Sequence, residues 1–249
     1  MRLIHEGRAM KLVGAVEASG SPQIGKDAGE VAGVGKIGIP IVTQIAPLLQ
    51  GRPVIIEFTA PDATLEHARI AAKKNISIVI GTTGFNQKQL AEIEKLSRKT
   101  RILLSANMSL GVNLLVSLMG RVATILGDDY DVEIVEAHHR FKKDAPSGTA
   151  LALARPIAEA LKRDLDKAGV CCRKGIVGER TKQEIGLLSV RAGDIVGDHT
   201  VIFGGLGERV EFIHRAQSRE TFARGALRAA QWLVKQRKGL YSMQDVLGL

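Results

Sequence analysis

The chain has 249 residues, 45% of them hydrophobic and 24% charged, a globular balance that excludes intrinsic disorder and allows one large domain or two modest ones. Aromatic residues are only 4%, too few for a nucleic-acid stacking platform, and the net charge of +9 is spread without a dense Lys/Arg block, so an anionic small molecule is the expected partner rather than nucleic acid. The two cysteines, Cys171 and Cys172, are neighbours; no apolar run is membrane-spanning and MRLIHEGRAM lacks a signal core, so reduced thiols, no membrane partner and a cytoplasmic location are expected.

In chain order, residues 1–9 read as the tail of a helix and Met10–Glu17 as a strand ending on an acid. Residues 19–40 read as loop. They contain Gly33-Val-Gly35-Lys-Ile-Gly38, which matches GxGxxG by letter. A phosphate cradle needs a strand before that pattern and a helix after it. Here a glycine-rich loop precedes it and Ile39-Pro40 follows, so the match is rejected. From Pro53 onwards strands and helices alternate. Val54–Phe58, Ile76–Ile80 and Ile102–Leu104 are strands, with helices at Asp62–Lys74, capped by Asp62, and at Gln87–Arg98. That alternation predicts parallel βαβ units, whose ligands lie beyond the carboxyl ends of the strands. Gly81-Thr82-Thr83-Gly84 and Ser105-Ala106-Asn107-Met108 stand at such ends, and Glu17 stands where an acid can accept hydrogen bonds from ribose hydroxyls.

After Gly111 the pattern changes. A long apolar helix to Leu126 precedes a strand at 131–139 and a helix from Ser147 to Lys162, which Pro156 should kink or shift. Strands then follow directly at Glu184–Arg191, Ile195–Phe203 and Arg209–Arg215, which implies an antiparallel or mixed sheet and a second domain. Arg191, Gly193 and Asp194 sit at a turn, and His199 and His214 are read as structural. A helix at Ser218–Gln236 returns to the first domain. The domains expected are therefore 1–108 with 218–249, and 109–217.

The stretch DVEIVEAHHRFKKDAPSGT, residues 131–149, holds the densest chemistry. His138 and His139 end a strand and point to opposite sides. Lys142 and Lys143 follow in the loop, and Ser147-Gly148-Thr149 opens a helix whose free amides and dipole favour an anion. An imidazole donor, ammonium groups and an anion cradle in one stretch point to acid-assisted chemistry on a small anion. No metal-ligand cluster is expected.

EAHHRFKKDAPSGTALALA resembles the signature of the dihydrodipicolinate reductase family, and the likeness covers nearly the whole chain: VGAVE, GKDAGE, EFTAPDATLEH, VIGTTGF, ANMSLGVN, SVRAGDIVGDHTVIF, GERVEFIHRAQSRETFARGA and MQDVLGL. The resemblance implies an α/β protein: a Rossmann-like parallel-sheet cofactor domain, N-terminally truncated here, and an α+β substrate domain with a mixed sheet, assembled as a homotetramer. It implies hydride transfer from NADH or NADPH to a cyclic unsaturated imine dicarboxylate in diaminopimelate and lysine synthesis. His138 matches the family's proton donor and acceptor, and Lys142 its second proton donor. His139, Gly148 and Thr149 match substrate contacts. Glu17, Gly81, Thr82, Thr83, Ser105, Ala106, Asn107 and Met108 match cofactor contacts. Three departures are visible. The chain begins inside the helix that follows the family's first strand and G-x-x-G-x-x-G loop, so a start upstream of Met1 is expected; the rival is a truncated, impaired homologue that binds the dicarboxylate but not the cofactor. Phe141 stands where many relatives have a histidine. Ala18 stands where an arginine would meet a 2′-phosphate, which leans the cofactor towards NADH.

Overall fold

The computed structural model describes residues 1–249, and the chain divides into two compact units, Met1–Ala106 with Ala223–Val246, and Asn107–Phe222 with Leu247–Leu249. In the first, α1 (Arg2–Glu6) and β1 (Ala15–Val16) are followed by α2 (Ala28–Val31) and β2 (Ile41–Val42). β1 and β2 form a parallel two-stranded sheet. The expected Met10–Glu17 strand is thus trimmed to two paired residues, because ladder bonds require a partner and β2 offers only Ile41 and Val42.

The region between β1 and β2 is organised by one side chain. Asp27 caps α2 through the amides of Gly29 and Glu30, and its carboxylate also accepts from Ile37 (3.0 Å), Gly38 (2.7 Å) and Ile39 (3.1 Å). Gly33, Gly35 and Gly38 all have positive φ, and no helix follows them. The glycines therefore fold a loop onto a carboxylate, and the rejection of a phosphate cradle holds.

β3 (Ile55–Glu57), α3 (Pro61–Lys74), β4 (Ile78–Ile80), α4 (Gln87–Ser97) and β5 (Arg101–Leu104) alternate as the periodicity predicts. Their strands pair in parallel, and β11 (Gly239–Tyr241) adds a fourth beside β5 in the order β11-β5-β4-β3. Apolar side chains from strands and helices, among them Ile55, Leu65, Ile78, Ile80, Ile93 and Ile102, form the core. Asp62 is not the cap of α3. Ala60 holds that position with Pro61 behind it, and Asp62 lies in the first turn, accepting from Gln89 Nε2 at 2.8 Å. Pro61 is pre-shaped for the first helical position, so the helix starts one residue early. Asn86 and Gln89 close a reciprocal capping box on α4.

The second unit is built on β6 (Asp131–His138). After α5 (Leu110–Leu126) come β6, α6 (Gly148–Ala160), α7 (Leu165–Ala168), β7 (Gly169–Val170), β8 (Ile185–Arg191), β9 (Gly197–Gly204) and β10 (Arg209–Ala216). The sheet order is β10-β9-β6-β8-β7, antiparallel from β6 through β9 to β10 and parallel from β6 through β8 to β7. α6 lies on the crossover that parallel neighbours require. One sheet face supplies Val132, Ile134, Ile185, Leu187, Val201 and Phe203 to a core shared with Met119 of α5 and Leu153 and Ile157 of α6. Leu110–Asp129 is also long and apolar enough to cross a membrane; Met119 and Ala123 lie in that core, while Leu114, Leu118 and Ile125 are exposed.

α6 runs unbroken through Pro156, with no shifted start. α8 (Glu220–Leu233) lies almost wholly in the first unit and buries Ala226, Ala229, Ala230 and Leu233; α9 (Met243–Leu247) closes the chain.

Candidate active site

In the first unit, candidate residues stand at carboxyl ends of parallel strands. Glu17 follows β1 directly, and its side chain is exposed, accepting only from its neighbour's amide (Ala18 N, 3.3 Å). Gly81, Thr82 and Thr83 follow β4, and Ser105 and Ala106 follow β5. The Ser105 amide donates to the Ile80 carbonyl (3.1 Å), tying the ends of β4 and β5 together. A Cβ on Gly81 would come within 2.1 Å of the Phe58 ring, so a side chain there requires that exposed ring to move. Thr82 is buried, while Thr83 is exposed. Glu17 belongs to the separate β1–β2 sheet.

Asn107 and Met108 belong to the second unit. The Met108 side chain is buried. Asn107 Nδ2 donates to Thr149 Oγ1 (3.0 Å), which joins a residue expected at the cofactor to one expected at the substrate.

His138 closes β6. Glu136, two positions earlier and so on the same face of the strand, receives His138 Nδ1 on Oε2 at 2.6 Å. The Glu136 side chain is fully buried; both of its oxygens accept from Arg191 (2.8 Å each), and Oε1 also accepts from the Ser147 amide (3.2 Å). Burial would raise the Glu136 pKa, but hydrogen bonds from Arg191, Ser189 and His138 outweigh it and hold the carboxyl at about 2. A carboxylate accepts only, so His138 Nδ1 is the donor and Nε2 is the nitrogen left for reaction. Gly197 faces it: a Cβ there would stand 3.1 Å from Nε2.

His199 lies edge-on to His138, with ring centroids 5.1 Å apart. It is buried, and its Nε2 meets Ser147 Oγ at 3.1 Å. Burial, helped by the neighbouring His138, pushes its pKa down to about 4, so it stays neutral around pH 7. Ser147 caps α6 by accepting from Ala150 N at 3.1 Å. The amides of Gly148 and Thr149 lie in the first turn, where no intrahelical carbonyl reaches them. Gly148 is exposed, and a Cβ on it would meet nothing within 4 Å.

The structure thus gathers His138, Ser147, Gly148 and Thr149 around β6 and the start of α6. Lys142 Nζ is gripped by both oxygens of Asp144 at 2.9 Å, and its charge is among those that lower the His199 pKa. His139 lies beyond the strand, its buried Nδ1 without a partner and its ring 6.2 Å from that of Phe141. Glu136, Ser147, Arg191, His199 and Gly197 were not singled out as site residues from the sequence. Glu136 carried a local signal in its two-residue offset from His138, and Ser147 in its place at the helix start. Arg191 and His199 reach β6 through sheet pairing, which no sequence spacing announces.

Family models for the dihydrodipicolinate reductase N-terminus and C-terminus match residues 1–108 and 111–247. A 4-hydroxy-tetrahydrodipicolinate reductase from Syntrophus aciditrophicus is 54% identical over 246 residues, covering 99% of this chain and 92% of that protein. One from Syntrophobacter fumaroxidans is 50% identical over 248 residues, covering 100% and 93%. Among solved structures, a dipicolinate-bound dihydrodipicolinate reductase from Paenisporosarcina sp. TG-14 shares the fold, with a TM-score of 0.72 at 24% identity over 98% of this chain and 92% of that one. With both halves matched and half the residues shared along its length, this chain belongs to the dihydrodipicolinate reductase family.

Proposed function

We propose that the chain reduces 4-hydroxy-tetrahydrodipicolinate to tetrahydrodipicolinate with NADH or NADPH, the 4-hydroxyl leaving as water, the first unit holding the cofactor and the second the dicarboxylate. The observation that carries this reading is the Glu136–His138 pair beside an open helix start. In the first unit, an exposed carboxylate at the end of β1 suits ribose hydroxyls, and small or hydroxylated residues after β4 and β5 let a flat ring approach the backbone. The 33–38 glycine loop takes no part, since the amides of Ile37, Gly38 and Ile39 already serve Asp27.

The cofactor, when bound, supplies a hydride. This chain's own residues do the rest. The amides of Gly148 and Thr149, at the positive end of the α6 dipole, grip one substrate carboxylate, and His139 contacts the ring. Glu136 holds a proton on His138 Nδ1 and aims the ring, so that the doubly protonated imidazolium gives its Nε2 proton to the atom left electron-rich and returns to the neutral Nδ1–H form. General acids of this kind contribute roughly 10²–10⁴-fold. Lys142 is the second donor, released from Asp144 when an anionic ligand competes for its ammonium. Dipicolinate, the planar dicarboxylate bound to the Paenisporosarcina relative, has the charge pattern such a site takes.

The test is anaerobic turnover of enzymatically generated substrate, following loss of NADH or NADPH absorbance. Turnover with either cofactor supports the reading. Dipicolinate binding with no binding of either cofactor would replace it with a dicarboxylate-binding homologue that has lost its activity.

A further inference from the structure

The first unit contains a second carboxylate–imidazole pair, its carboxylate buried, that the chemistry above does not use. Glu57 ends β3 and is only 4% exposed. Its Oε2 meets Nδ1 of His67, on α3, at 2.6 Å. Its Oε1 accepts from Thr59 Oγ1 at 2.5 Å. The contacts continue through hydroxyls: Thr59 Oγ1 lies 3.2 Å from Thr64 Oγ1, which lies 2.8 Å from Thr82 Oγ1. Thr82 Oγ1 in turn accepts the Thr59 amide (3.1 Å), and the Glu57 carbonyl accepts the Gly81 amide (2.9 Å).

The direction of this chain follows from which groups can donate. Glu57 as a carboxylate only accepts, so Thr59 must donate to it. The Thr59 oxygen is then left to receive the Thr64 hydrogen, and Thr64 to receive that of Thr82. Each hydroxyl is committed inward, and the ends of β3 and β4 are locked to one another through side chains. A buried ion pair contributes less stability than well-packed apolar residues of the same volume. Stability alone therefore does not account for the buried Glu57 carboxylate with half-buried His67 beside it, and the groups it holds are the ones to weigh.

We propose that Glu57, with His67 balancing its charge, is a positioning residue for the cofactor: through Thr59 and Thr64 it orients Thr82 and fixes the 81–84 loop in the shape that receives the nicotinamide nucleotide. Thr82 consequently offers the ligand its main chain, and the exposed Thr83 supplies the side-chain hydroxyl of that loop. The inference rests on the NAD(P)H reading above.

The experiment uses the full chain with Thr64→Val, which removes the middle hydroxyl at nearly constant volume, and Thr64→Ser, which restores it. Dissociation constants for NADH, NADPH and dipicolinate are measured by equilibrium titration, and KM for each substrate is measured beside kcat. Losing one committed hydrogen bond should weaken cofactor binding about tenfold in Thr64→Val and leave dipicolinate binding within about twofold. Thr64→Ser should return to within about threefold of the parent, a rescue that general loosening would not give. Unchanged cofactor affinity in Thr64→Val, or an equal loss for dipicolinate, overturns the proposal. If Thr64→Val fails to fold, Glu57→Gln carries the same expectation, because its amide can donate and so scrambles the hydroxyl direction. If the parent protein binds neither cofactor, the NAD(P)H reading fails and the positioning role falls with it. If the parent binds and both variants match it, only the positioning role falls.

Discussion

At the residue scale, the pairing of His138 with Glu136 decides which ring nitrogen works. Replacing His138 with Ala removes the proton donor and nothing that faces the nucleotide, so kcat should fall roughly 10²–10⁴-fold while NADH or NADPH affinity stays the same. Near-normal turnover would contradict the role. Glu136→Gln makes a subtler test, because an amide can donate as well as accept and no longer selects the tautomer. It should lower kcat and also alter acid stability. A carboxyl held at about 2 rather than 4.5 favours the folded state above pH 4.5, and that advantage, about 3 kcal/mol, is lost as pH falls towards 2. Urea unfolding at pH 6 and pH 3 should show this loss in the parent and a much smaller pH dependence in Glu136→Gln.

At the element scale, two short connections are each organised by one side chain. The first turn of α6 is held by Ser147, which caps the helix, meets His199 and donates its amide to Glu136. Ser147→Ala should destabilise the protein by about 1 kcal/mol through the lost cap and weaken dipicolinate binding, read by chemical denaturation and titration. The second is the loop from Gly25 to Pro40, gathered around the Asp27 carboxylate, whose pKa is lowered by the amides of Ile37, Gly29, Glu30 and Gly38 despite an opposing desolvation effect. Asp27→Ala leaves those donors without their common acceptor, so limited proteolysis should cut first between residues 33 and 39. Unaltered resistance would show that the glycine turns hold themselves.

At the scale of the whole molecule, the outward face of the second sheet carries Ile213, Thr200, Val135 and Leu188 in one cross-strand row, with Val190 nearby. Ile213 and Val190 are 49% and 45% exposed, an apolar surface that an assembly of subunits would cover. A homotetramer is the proposed state. Light scattering should give four times the 26.8 kDa chain mass, and Ile213→Lys should reduce it. For the cofactor, Ala18 beside Glu17 predicts tighter NADH than NADPH binding by titration, because a carboxylate without a flanking arginine repels a 2′-phosphate. A strong NADPH preference would show that another cation meets that phosphate.

The alternation of β3 to β5 with α3 and α4, the long α5 and the histidine-bearing β6 were legible in the sequence because their apolar periods of two and 3.6 residues are local properties. His138, Gly148 and Thr149 were legible for the same reason, being a strand end and a helix start close together in the chain. β11 was not, since Gly239–Tyr241 becomes a strand only by pairing with β5, far earlier in sequence. Nor were Arg191 and His199, which reach Glu136 and Ser147 because β8 and β9 flank β6 on opposite sides. The Glu57–His67 pair was equally hidden, for it exists only where a helix crosses a strand end. Side-chain period and turn chemistry belong to neighbours in the chain and can be read from it. The partners that fix a tautomer or a hydroxyl's direction are chosen by sheet order and helix packing, and those the tertiary structure alone decides.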